Sequence, residues 1–182
     1  MSVEREKNDP PIVDPKPFLE KPFTRIEIGL MPEKPTIDFL RWLTTISNET
    51  GLVYVKPKWA VIKSSEIGIP GWTMPHHSDI LLHSHPQEDD EFLPSSRDFL
   101  NCSPTSKNFL VSPQGLTQFY ALENPKHHRD IDMYFRKEDR FIKKQHDRIF
   151  EHLSFLESVD ARYTITQWDQ LNQEKLDSLF YG

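Results

Sequence analysis

The stretch Asp79-Ile80-Leu81-Leu82-His83-Ser84-His85-Pro86 decides how the chain is read. An apolar run ending in two histidines predicts a buried strand from Ile80 to His83, with the histidines at its exit. Positions i and i+2 of a strand face the same side, so His83 and His85 can reach one metal ion. Downstream, Pro94-Ser95-Ser96-Arg97-Asp98 opens a short helix from Ser95 to Leu100, and Asp98 stands where a third ligand is needed. Two neutral imidazoles and a carboxylate suit zinc, and three protein ligands leave a fourth position open.

Such a site acidifies the water it holds and needs a carboxylate close by, off the metal, to carry the proton. Glu49 is the first candidate base. It follows an amphipathic helix predicted from Pro35 to Ser47 (Ile37, Leu40, Leu43 and Ile46 on one stripe, widened by Phe39 and Trp42) and precedes a short buried strand, Leu52–Val55. Glu27, on an alternating segment Phe23–Ile28 read as a strand, and Glu66, in a loop punctuated by Gly68, Pro70, Gly71 and Pro75, are the competitors.

Each reading has a plainer counterpart. Ser95-x-x-Asp98 before an apolar residue is also a helix capping box. A histidine at a strand end is usually only polar, but two at i and i+2 followed by proline favour a metal. His76-His77 and His127-His128 lack a third partner at useful spacing and read as loop residues. Cys102 reads as a buried apolar residue, and the acidic run Glu88-Asp89-Asp90-Glu91 as a solvated loop.

The remaining elements follow the same logic. Trp59–Lys63 is a further strand. Asn108–Ser112 and Leu116–Ala121 flank Pro-Gln-Gly as a hairpin. After Asn124-Pro125 a long helix is expected over 131–157, then a strand at Tyr163–Trp168 and a last helix from Gln170 to Phe180. Residues 1–22 are proline-rich (Asp9-Pro10-Pro11, Asp14-Pro15, Lys16-Pro17) and are expected to form an extended arm.

His83-Ser-His85-Pro86 with Pro94-Ser95-x-x-Asp98 resembles the JAMM motif of the JAB/MPN metalloprotease family. The helix leading to Glu49-Thr50-Gly51-Leu52-Val53 resembles the family's upstream glutamate element. Phe109-Leu-Val-Ser-Pro-Gln-Gly115 resembles the strand and turn after its metal-binding helix. The likeness covers roughly residues 23–121. It implies an α/β (α+β) fold with a cytidine-deaminase-like mixed sheet flanked by helices. It also implies an arm at 1–22, a metalloprotease domain at 23–124 and a mostly helical C-terminal extension at 125–182. By the same likeness, His83, His85 and Asp98 bind Zn2+, Glu49 is the general base and proton donor, and Ser95 hydrogen-bonds the oxyanion or the water. The implied reaction is hydrolysis of a peptide or isopeptide bond in a protein or peptide substrate, including the C-terminus of a ubiquitin-like protein. The alternatives are an inactive MPN-type scaffold in a larger assembly, and an unrelated metal hydrolase that uses an H-x-H pair.

Composition agrees with a globular protein: 182 residues, 36% hydrophobic, enough for one sizeable core. A formal charge of -6 argues against nucleic acid as the main partner. No run approaches the length of a membrane span, and residues 1–22 read without a signal peptide. A single cysteine excludes an internal disulfide framework and fits a reducing compartment, so a cytoplasmic location is expected. Oligomeric state is not legible at this level.

Overall fold

The computed structural model describes residues 9–64, 77–85, 93–124, 126, 127, 129, 130, 133 and 153–182. Glu66, His76, His128, the acidic run 88–91 and most of the helix expected over 131–157 lie outside them. The described chain is mixed α/β, built on a seven-stranded sheet of order β1-β3-β2-β4-β5-β6-β7. The strands are β1 (Glu27–Leu30), β2 (Thr50–Val55), β3 (Lys58–Lys63), β4 (Ile80–Ser84), β5 (Lys107–Ser112), β6 (Gly115–Phe119) and β7 (Tyr163–Gln167). Every pairing is antiparallel except β4 with β5. A parallel pair needs a crossover, and α3 (Ser96–Asn101) lies in it. No described helix is long and apolar enough to cross a membrane.

Helices pack on one face of the sheet. Helix α2 (Ile37–Leu43) starts at Thr36, whose hydroxyl accepts from Phe39 N–H at 3.2 Å. It buries Phe39, Leu40 and Leu43 against Leu52, Val61, Leu82 and Phe109. The stripe predicted a helix as far as Ser47, but α2 ends four residues earlier. Thr44 and Thr45 turn their hydroxyls back onto the carbonyls of Arg41 and Trp42, and the β-branched run Thr44-Thr45-Ile46 does not extend it. The C-terminal helix α4 (Gln173–Tyr181) adds Leu176 and Phe180 to the same core. Lys107, on the interior strand β5, donates to the carbonyls of Leu179, Phe180 and Gly182 at its end. With β7 pairing along β6, residues 163–181 belong to the main sheet and core rather than to an extension beside them.

Two more expectations are corrected at the N-terminal side. Residues 15–20, expected to be extended, form helix α1 (Pro15–Glu20), capped by Asp14. Proline is tolerated in a first helical turn because the N–H groups it removes have no intrahelical acceptor. Strand β1 begins at Glu27, not Phe23. Its partner β3 ends opposite it, at Lys63, so residues 23–26 have no strand to pair with among the described residues.

The arm is fastened to β1 by Val13 N–H to Leu30 O (2.9 Å) and Leu30 N–H to Pro11 O (2.7 Å). Gly29 allows this approach, since a β-carbon there would run into the methyl groups of Val13. Gly29→Ala is therefore expected to destabilise the protein by about 1–3 kcal/mol through overpacking. The double variant Gly29→Ala/Val13→Ala should recover most of that loss in denaturant titrations. Equal stability of single and double variants would show that the arm is not held here.

Candidate metal centre

His83 is on β4, and His85 continues it by one pleat, with its N–H on Val111 O at 2.8 Å. Both histidines are buried on the sheet face opposite α2 and α4. Helix α3 crosses this face. Phe99 is fully buried with Leu110, Phe119 and Cys102, and this anchor swings the preceding Asp98 over the histidines. Phe119 packs edge-on against Phe99 (centroids 5.7 Å apart) and against His83 (6.2 Å), setting both. The sequence reading missed these two phenylalanines. Phe119 lies in a hairpin strand, and only the β5–β6 register reveals its position.

His83 Nε2 lies 3.1 Å from Asp98 Oδ1, and His85 Nε2 lies 3.8 Å from Oδ2. The His83 Nε2 atom is buried and makes no aligned hydrogen bond despite that short distance. One donor atom from each of the three residues falls within 4.8 Å of the others, so the group could hold a metal ion.

The capping box of Asp98 is formed, and it is geometrically compatible with the ligand reading. Asp98 Oδ2 accepts from Ser95 N–H (2.7 Å) and from the Ser95 hydroxyl (2.9 Å), and Ser95 Oγ accepts from Asp98 N–H (3.3 Å). The cap pins one carboxylate oxygen and turns the other towards His83. Ser95 thus acts on Asp98. Its hydroxyl proton points at that carboxylate.

Burial disfavours the charged form of His83, but Asp98 beside it and, more weakly, Glu49 outweigh this and push its pKa up to about 9. Burial alone would raise the Asp98 carboxyl. His83, then His85 and the Ser95 N–H, hold it well below the usual carboxylate range. Burial and, second, the Asp98 charge push the Cys102 thiol up to about 12, so Cys102 stays protonated and inert.

These shifts fix a pH window for protein stripped of metal. The raised His83 value contributes stability that is complete below about 6.5 and is lost as pH climbs through about 9. The depressed Asp98 value contributes stability above about 4 that is lost on acidification. In the presence of chelator, the melting temperature is expected to be highest between about pH 4 and 6.5 and to fall towards pH 9. A flat profile in His83→Phe would assign the alkaline limb to this residue; the same limb surviving in that variant would remove the assignment.

Glu49, half-buried, immediately precedes β2. The β2–β4 register pairs Gly51 with His83, and continuing it by two residues sets Glu49 opposite His85, on the same face. Gly51, across from His83, puts no side chain between them. Glu27 pairs with Lys63, which in turn faces Thr50. That row lies on the other face, away from the histidines. His77 is exposed, before the far end of β4. The structure therefore brings His83, His85, Asp98, Ser95 and Glu49 to one place and keeps Glu27 and His77 out of it. Comparison of the chain with models of known protein families, with curated proteins and with solved structures gave no match.

Proposed function

We propose that this chain is a JAMM-type zinc metallopeptidase or isopeptidase, hydrolysing a peptide or isopeptide bond of a protein substrate such as one with a ubiquitin-like C-terminus. The observation that carries this reading is the convergence of His83, His85 and Asp98 around a buried His83 Nε2 with no aligned partner. Two imidazoles and one carboxylate match the donor preference of a catalytic zinc with an open position. When bound, the ion supplies Lewis acidity and an acidified water.

The chain's own residues do the rest. Ser95 and the α3 cap orient Asp98 through two hydrogen bonds to Oδ2. Phe99 and Phe119 shield the ligands from bulk water and fix the His83 ring. Glu49 accepts the proton of the attacking water and returns it to the leaving amine. A substrate surface is available on the same face. Ile28, Ile62, Gly51 and His83 form one row across β1, β3, β2 and β4. Ile28 and Ile62 there line an apolar groove of about 370 Å³. An extended peptide rises about 3.3 Å per residue and strands lie about 4.8 Å apart, so a side chain three or four residues from the scissile bond reaches this groove.

The test is direct: zinc content after dialysis, and cleavage of a ubiquitin-like fusion by the loaded protein. The 3.1 Å His83–Asp98 pair also supports a second reading, in which the ion pair alone closes the site in an inactive MPN-type scaffold. Absence of zinc uptake, with no cleavage, selects that scaffold.

A further inference from the structure

A cleft of about 660 Å³ opens on the other face of the sheet, between the ends of α1 and α2 and the edge formed by Thr50 and Lys63. Thr50 and Lys63 are cross-strand partners, each 1% exposed. Thr50 lines the cleft, and its buried hydroxyl has no hydrogen-bond partner among the described residues. Buried polar groups are nearly always paired, so an orphan hydroxyl in a cavity wall marks a place where a partner belongs.

The charge at this wall is positive. The Lys63 ammonium donates to the carbonyls of Phe18, Lys21 and Pro22 at the end of α1, which occupies its three hydrogens. Burial, more than the Lys21 charge beside it, disfavours the charged form of Lys63, while Glu27 favours it. Glu27 itself pairs with Arg25 at 3.6 Å. Glu20 at the rim offsets one of the two lysines, leaving one net positive charge. Leu19, Phe23 and Ile46 supply an apolar wall. The volume lies within the usual range for small-molecule sites, roughly 300–1,000 Å³.

We propose that this cleft is a second binding site, for a small monocarboxylate with an apolar body. The Thr50 hydroxyl donates to the carboxylate, Lys63 and Lys21 hold its charge, and the apolar body lies on Leu19, Phe23 and Ile46. The site is independent of the metal centre, being on the opposite face of the sheet.

The experiment is a titration of the isotope-labelled full chain, followed by amide chemical shifts, with 4-phenylbutyrate and with its neutral amide. The acid is expected to shift the amides of Thr50, Lys63 and Ser64 and to bind at least about tenfold more tightly than the amide. Thr50→Val keeps the shape and removes only the hydroxyl. It should raise the melting temperature of the free protein, because it deletes an unpaired buried polar group, and weaken acid binding about tenfold or more. Thr50→Ser should retain binding, and Lys21→Gln, at an exposed position, should weaken it severalfold. Equal binding of acid and amide, unchanged binding by Thr50→Val, or shifts confined to another region would each overturn the proposal.

Discussion

His83→Ala and Asp98→Ala will each retain less than about a tenth of the zinc bound by the parent chain, which is expected to hold one ion. The site has three protein donors, and losing one leaves two, which is too few for a zinc site built from protein. Even second-sphere changes at metal sites cost about 10–100-fold in affinity, and direct ligands cost more. The two variants differ once zinc is chelated. Asp98→Ala removes half of the Ser95 capping box, worth about 1 kcal/mol, and strands His83 in a buried position without its partner. Breaking a buried pair from one side costs about 3–5 kcal/mol. His83→Ala leaves Asp98 still accepting from Ser95 N–H and Oγ, so the smaller loss is expected there. Asp98→Asn should recover the cap but not the metal. Zinc should raise the melting temperature of the parent by mass action and leave both alanine variants unmoved. One zinc per chain retained in either alanine variant would show that the ligand set is wrong.

The parts of this fold that were legible in the sequence are those with local causes. Ile80 to Ser84 is a strand because an apolar run ends at a polar pair, and α3 starts at Ser95 because a capping box needs only four residues. The cluster of His83, His85 and Asp98 was readable for the same reason, since a two-residue period and a cap lie at its two ends. What the sequence concealed depends on distant partners. The length of β1 is set by where β3 ends, and no pattern in residues 23–30 records that. The arm looked extended because proline density was weighed without its position in a first turn. Leu171, Leu176 and Phe180 were recognisable as apolar, but not as part of the core beneath β4 and β5. The dual engagement of Asp98 was hidden more deeply. Cap and ligand appear as rivals in sequence, yet a carboxylate has two oxygens, and here Oδ2 takes the cap while Oδ1 is left to face His83.

The largest effect on hydrolysis is expected from Glu49→Gln, which should lower the cleavage rate of a ubiquitin-like fusion by about 10²–10⁴-fold, the usual contribution of a positioned acid–base group. Zinc content should remain that of the parent, because the amide changes no ligand. The register places Glu49 across from His85, and its charge already reaches His83, where it helps to hold the imidazole pKa up. The same substitution should therefore lower the His83 pKa in chelated protein, a readout independent of catalysis. Gly51 is part of the argument, because a side chain across from His83 would stand between Glu49 and the histidines. Gly51→Val should impair cleavage while Glu27→Gln, at the far edge and on the other face, leaves it unchanged. A Glu49→Gln variant that cleaves at the parental rate, with zinc bound, would move the base elsewhere. Glu66 is then the next carboxylate to replace, since Glu27 is turned away from the ligands by the same pairing that brings Glu49 towards them.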